Sequence, residues 1–150
     1  MTAQVKSAGM LLCIFALSAF CGCSEKPAVS IADKDNGKTV SIEKGKLLEV
    51  KLGGTMGTGY SWILARPNSE YVWKGEPKLP KNYEELMEPT GDSTVPLYSE
   101  KEQITGGPNE TVFLLKAKKQ GKTTLHFVYI RVWEKDKAPE KVFSVDVDIN

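Results

Sequence analysis

The chain has 150 residues, of which 41% are hydrophobic, and this is enough for one domain with its own core. It carries 20 basic and 19 acidic side chains, and 19 of each remain once the N-terminal segment with Lys6 is set aside. Such a balance excludes the strongly basic surface by which proteins bind nucleic acid or an anionic membrane through charge. We therefore expect no nucleic-acid partner.

Residues 1–22 are predicted to form a signal peptide. Their only charge is Lys6, and an apolar run from Ala8 to Phe20 follows it. The run is shorter than the roughly 20 residues that a membrane-spanning helix needs, and it lies close to the N-terminus. Both properties are typical of the apolar region of an export signal.

All three cysteines lie at this end of the chain, at Cys13, Cys21 and Cys23. Gly22-Cys23 is similar to a bacterial lipobox, in which the cysteine after a small residue is lipidated and becomes the new N-terminus. We therefore predict lipidation at Cys23, with Cys21 as the alternative, and a protein anchored by lipid in the bacterial cell envelope. An ordinary secretory cleavage would give a secreted protein instead. No cysteine follows Cys23, so the folded part of the chain is predicted to lack disulfides.

The rest of the chain divides into a tether and one folded domain. Residues 23–37 are mostly polar, contain Pro27 and show no sustained pattern, so they are predicted to be the lipidated N-terminus and its tether. Residues 38–150 carry the periodic patterns of a folded domain and are predicted to form a single unit.

Short stretches of alternating polar and apolar residues predict β-strands along this domain. In one of them Leu48, Val50 and Leu52 share a face. No stretch is a convincing amphipathic helix of ten or more residues, although 83–87 could form one helical turn. We therefore predict an all-β, immunoglobulin-like antiparallel β-sandwich without disulfides. The predicted strands are 38–43, 47–52, 60–65, 71–73, 111–117, 122–130 and 141–149.

A long connection between these strands stands apart from the rest of the pattern. Residues 76–110 contain five prolines and few strand-like runs. A connection of about 30 residues is long for a compact domain and usually has a function of its own.

Candidate catalytic and metal-binding residues are scarce. The only histidine, His126, lies in the middle of a predicted strand and faces away from Leu125 and Phe127. A Ser-His-Asp or Cys-His mechanism would need this histidine as its base, and Cys23 is the one cysteine expected in the exported protein. Transition metals need at least two histidine or cysteine ligands, which the domain lacks. The sequence predicts no enzyme, no catalytic residue, no cofactor and no metal site.

Three of the connections have an unusual composition: 53–60, 105–108 and 131–135. The first contains four glycines, which cost conformational entropy and therefore need a structural or functional reason. The second has Gly106-Gly107, and the third has Arg131 and Trp133, two residue types that are common in binding hot spots. Alternate strand connections gather at the same end of a sandwich, so we expect the three loops to lie side by side.

The three loops contain the motifs Thr58-Gly59-Tyr60-x-Trp62, Gly106-Gly107 and Arg131-x-Trp133. These motifs resemble those of the chagasin family, whose members are proteinaceous inhibitors of papain-like cysteine proteases. The resemblance covers roughly residues 38–150, and the motifs occur in the family's order and approximate spacing. Two departures stand out: Met56 replaces a proline of the family's first loop, and Val132 replaces a proline in the third.

The resemblance implies a reversible competitive inhibitor, a monomer whose three loops form a wedge in the active-site cleft of a papain-like cysteine protease. Thr58 and Gly59 would lie nearest the catalytic cysteine and histidine of the protease. Tyr60 is counted with them as a protease-binding residue, whereas Trp62 is expected in the core. A glycine at the tip suits a narrow slot where any Cβ would clash.

The other two loops have roles that the same resemblance implies. Gly106 and Gly107 would lie along the substrate side of the cleft and offer main-chain hydrogen bonds, much as a substrate does. Trp133 would be the large anchor on the primed side, oriented by Arg131. The alternative is an envelope-anchored binding or adhesion module that does not inhibit, in which the glycines form a plain turn and these two side chains cover the end of the sandwich.

Overall fold

The computed structural model describes residues 25–66, 82–97, 106–134 and 136–150. These ranges contain eight β-strands, a single-turn helix α1 at Tyr83–Leu86 and a short 3-10 helix at Asp33–Asp35. The strands are β1 (Val29–Ala32), β2 (Thr39–Ile42), β3 (Leu47–Thr55), β4 (Ser61–Leu64), β5 (Met87–Pro96), β6 (Pro108–Ala117), β7 (Gly121–Ile130) and β8 (Lys141–Ile149).

The strands form two four-stranded sheets, in the orders β1-β3-β6-β5 and β2-β8-β7-β4. Four of the six strand pairs are antiparallel, while β1 runs parallel to β3 and β2 runs parallel to β8. The predicted immunoglobulin-like sandwich is confirmed, and the described residues contain no cysteine. The two parallel pairs were not foreseen, because the alternation of polar and apolar residues is the same in either direction.

The core lies between the two sheets and uses the faces that the alternation predicts. Leu48, Val50 and Leu52 of β3 are fully buried. Phe127 of β7 is also fully buried, and its ring centroid lies 4.8 Å from that of Phe113 on β6, in the opposite sheet. Aromatic pairs of this kind add to the burial energy and hold the two sheets in one relative position.

The interpretation of residues 23–37 as a tether is wrong from Val29 onward. Residues 29–32 form an edge strand that pairs with β3, and Ile31 of this strand is buried in the core opposite Val50. Shortly after it, the Asp33 carboxylate accepts a hydrogen bond from the backbone N–H of Gly53 at 3.0 Å. A four-residue strand with one buried side chain is too short to give a periodic signal among polar neighbours.

The expectation of few strands within 76–110 is also wrong, because β5 is ten residues long. The strand was not predicted because it contains prolines, which lack the N–H that a central strand needs. β5 is the edge strand of its sheet, where such a residue is tolerated. The register with β6 shifts between Pro89 and Gly91, which accommodates one of them. The helical turn expected at 83–87 is observed as α1. The strand predicted at 71–73 lies outside the described residues.

The strand directions place the candidate loops at one end of the sandwich. β3 ends at Thr55, β6 begins at Pro108 opposite it, and β7 ends at Ile130 opposite Ser61. We call this the loop end and the opposite end the base. Within the ranges that the structure describes, no helix has the length and apolar character needed to cross a membrane.

Candidate functional site

The first two loops are joined by backbone hydrogen bonding. The N–H of Met56 donates to the carbonyl oxygen of Gly107 at 3.0 Å, one residue beyond the paired Thr55 and Pro108. The β3–β6 ladder therefore continues into the loops. Gly106 has a φ of +77°, a left-handed conformation that glycine adopts without a steric cost. The described part of the second loop is 106–108, and position 105 lies outside it.

The third loop is held to the first by Arg131. Its Nε donates to the carbonyl oxygen of Thr58 at 3.0 Å, and its guanidinium carbon lies 4.5 Å from the centroid of the Tyr60 ring. One side chain thus fixes a backbone carbonyl and stacks on an aromatic ring, an arrangement that suits the planar guanidinium.

An acidic residue of the third loop holds Arg131 in turn. The Glu134 carboxylate lies 3.3 Å from Nη1 of Arg131 and 3.1 Å from Nζ of Lys137. Hydrogen bonds from Lys137 first, and then from Arg131, lower the pKa of Glu134 below its ordinary value. The carboxylate therefore keeps its charge at neutral pH and stays paired with both cations. These contacts connect the third loop to the first and to Lys137. Residues 131–134 of this loop are described, and position 135 is not.

Trp133 lies directly against Gly59. A Cβ added to Gly59 would be 2.5 Å from Cη2 of the Trp133 indole, so the ring occupies the space that any larger residue would need. Gly59 also has a φ of +78°, in the left-handed region. The indole is nevertheless 64% exposed. Its six-membered ring lies against the first loop around Cη2, and most of the residue is exposed to solvent.

Tyr129 supports the loops from below, and the sequence analysis did not single it out. Its hydroxyl accepts a hydrogen bond from the backbone N–H of Thr55 at 2.9 Å, and its ring stacks on Tyr60 at 5.2 Å between centroids. Beside it, the indole Nε1 of the buried Trp62 donates to the carbonyl oxygen of Gly53 at 3.0 Å. The first loop therefore rests on two aromatic side chains. The sequence feature that could have pointed to Tyr129 is its position two residues before Arg131, on the strand face that the alternation predicts to be buried.

A second residue that sequence reasoning passed over is Asn109. A Cβ added to Gly54 would lie 2.5 Å from Oδ1 of Asn109 and 3.2 Å from the hydroxyl of Tyr129. Gly54 is thus needed for close packing beneath the loop, whereas Gly59 is needed at its tip. Two of the four glycines in the first loop are therefore required by the structure, each for a different contact.

The described residues offer no catalytic arrangement. His126 lies on β7 opposite Ser144, on the face away from the core as expected, and burial lowers its pKa below the ordinary value. No group of three or more histidine, cysteine, aspartate or glutamate side chains within the described ranges could hold a metal ion. The residues that the structure does bring together are those of the three loops.

The fold and the site define a class of protein: an immunoglobulin-like sandwich that presents a compact, glycine-lined binding edge with one exposed tryptophan. The profile of the family described as chagasin family peptidase inhibitor I42 matches residues 41–147. The chain belongs to the chagasin family of peptidase inhibitors, and it is an inhibitor of cysteine proteases, not an enzyme.

Two solved structures have a fold similar to that of this chain. The cysteine protease inhibitor EhICP2 from Entamoeba histolytica is 23% identical, with a TM-score of 0.62 over 83% of this chain and 100% of that one. Amebosin is 21% identical, with a TM-score of 0.59 over 83% of this chain and 100% of its own. A comparison with curated proteins gives no match.

Proposed function

We propose that the three loops act as one wedge that enters the active-site cleft of a papain-like cysteine protease and blocks it reversibly. The observation that carries this proposal is the direct connection of the loops to one another. Met56 bonds to Gly107, Arg131 bonds to Thr58, and Trp133 packs on Gly59. A surface whose parts are already fixed in place loses little conformational entropy on binding, which favours affinity.

Each part of the wedge has a distinct task in the proposed complex. The backbone around Gly59, which lacks a Cβ, can approach the catalytic centre of the protease closely. The second loop, through Gly106 and Gly107, can offer main-chain hydrogen bonds along the cleft in place of a substrate. Trp133, already exposed, supplies the large apolar anchor, and Arg131 keeps the third loop against the first.

Inhibition of papain tests this function directly. The protein without residues 1–23 should inhibit papain competitively, raising the apparent KM for a peptide substrate while kcat stays constant. We expect an inhibition constant between nanomolar and micromolar. Trypsin is the control, because its catalytic serine lies in a differently shaped cleft, and it should be unaffected. Absence of papain inhibition at several hundred micromolar would contradict the proposal and favour the non-inhibitory binding or adhesion module.

We further propose that the chain is held in a bacterial cell envelope by lipid on Cys23. The short apolar run before it and the small residue at Gly22 support this proposal, and several acyl chains at about 0.8 kcal/mol per buried CH₂ would make the attachment firm.

Substitution of the cysteine tests the anchor. In a bacterial expression host the unmodified chain should fractionate with membranes, and Cys23→Ser should move it to the soluble fraction. Cys21→Ser is the matched control and should stay with the membranes. If the two variants behave in the opposite way, the lipid is on Cys21; if neither is released, the proposal of a lipid anchor is wrong.

A further inference from the structure

Exposed apolar side chains are concentrated toward the loop end of the domain. Among the described residues, four large hydrophobic side chains are exposed: Trp133 at 64%, Leu97 at 56%, Val142 at 49% and Val95 at 48%. Trp133 belongs to the third loop. Val95 and Leu97 lie two residues apart at the loop end of β5, where they form a second apolar surface that we call the β5 strip.

The β5 strip is joined directly to the second loop. The backbone N–H of Leu97 donates to the carbonyl oxygen of Pro108 at 3.0 Å. Thr94 is paired with the buried Thr111, and their hydroxyls lie 3.3 Å apart, so the Thr94 side chain is on the inner face of the sheet. Because successive side chains of a strand point to opposite faces, Val95 points to the outer face. The strip is therefore an extension of the loop that the wedge uses, at the β5 edge of its sheet.

The composition of the strip is unusual for an edge strand. Residues 93–97 read Ser-Thr-Val-Pro-Leu and carry no charge. Edge strands that face solvent permanently are usually protected by charged side chains, prolines or bulges, since an apolar edge promotes aggregation, and Pro96 is the one such feature within 93–97. Exposed apolar surface next to a binding site is instead typical of a surface that a partner covers.

We propose that Val95 and Leu97 form an additional contact of the wedge with its target, against an apolar wall of the protease beside the second loop. The inference rests on the proposed function and adds a specificity-determining surface to it. The protease is favoured over a second copy of this chain because the strip is continuous with the loops, so one partner can cover both. Proteases whose cleft wall is apolar at this place should bind more tightly than those in which it is charged.

The test compares two sets of exposed aliphatic residues. The double variant Val95→Ser/Leu97→Ser should raise the inhibition constants for papain and cathepsin L by about tenfold, since part of two aliphatic side chains would no longer be buried in the complex. The rise should come from faster dissociation. Val142→Ser is the matched control, because Val142 is equally exposed but lies on the other sheet, and it should change the constants less than twofold. Urea unfolding of both variants should match that of the unmodified protein.

The outcomes separate this inference from the proposed function. If the unmodified protein inhibits and the double variant inhibits equally well, the contact does not exist although the wedge does. If Val142→Ser has the same effect, the change reflects general surface polarity, and the inference is again overturned. A dimer in sedimentation that the double variant dissociates would assign the strip to a second copy and overturn it as well. If the unmodified protein inhibits neither protease, the proposed function fails and this inference fails with it.

Discussion

Replacement of Gly59 by valine is expected to weaken the inhibition of papain by about 100-fold, which corresponds to about 2.7 kcal/mol of binding free energy. A Cβ at this position would lie 2.5 Å from Cη2 and 2.9 Å from Cζ2 of Trp133, so the indole must leave its place. The left-handed φ of +78° adds backbone strain for a β-branched residue. The variant would therefore alter the tip of the first loop and the anchor of the third together. The inhibition constant for papain is the measurement.

A strained glycine far from the loops separates the effect of reduced overall stability from that of the lost contact. Gly45 has a φ of +85°, and nothing lies within 4 Å of the Cβ that a larger residue would have there. It lies between β2 and β3, at the base of the sandwich. Gly45→Val should lower the free energy of unfolding by about 1–2 kcal/mol and leave the inhibition constant unchanged. Equal loss of inhibition in both variants would mean that reduced stability of the whole domain, and not the Gly59–Trp133 contact, explains the effect.

Replacement of Trp133 by alanine is expected to weaken inhibition by about 50-fold while the stability of the domain changes by less than about 0.5 kcal/mol. The two effects separate because the indole is 64% exposed in the free protein and becomes buried only in the proposed complex. Inhibition constants measured with papain give the first quantity, and the midpoint of urea unfolding gives the second.

The opposite result for Trp133 would identify the alternative role of the residue. If the alanine variant unfolds much more readily and still inhibits papain with a similar constant, Trp133 covers the end of the sandwich and is not an anchor. Loss of both properties together would mean that the third loop depends on the indole for its shape. Only loss of inhibition with retained stability agrees with the anchor.

The sequence predicted the parts of the fold that depend on simple periodicity. Leu48, Val50 and Leu52 alternate with polar residues, so their common burial follows from the pleat of a strand. β5 was not predicted because Pro89 and Pro96 are compatible with a strand only at the edge of a sheet. Local composition does not show which strand lies at an edge.

The candidate site was predictable in outline but not in its contacts. Residue types, together with the rule that alternate strand connections gather at the same end of a sandwich, were enough to place the three loops side by side. The bond from Arg131 to the carbonyl oxygen of Thr58 could not be foreseen, because every residue has such a carbonyl and only the loop conformation turns this one toward the guanidinium. The hydrogen bond between Tyr129 and Thr55 could not be foreseen either, because in the sequence Tyr129 has the position of an ordinary core aromatic residue.

The parallel pairing of β1 with β3 places the start of the folded domain at the base, at the opposite end from the three loops. Val29 pairs with Leu48 at the base, and close by, Glu25 forms an ion pair of 3.3 Å with Lys116 near the end of β6. The loops lie beyond the far end of β3, a strand of nine residues and therefore about 30 Å long. With the proposed lipid on Cys23, only residues 24–28 would separate the anchor from the sandwich, a reach of at most about 17 Å. The loops would then lie at the end of the domain opposite its attachment to the membrane, and the length of β3 would separate them from the lipid.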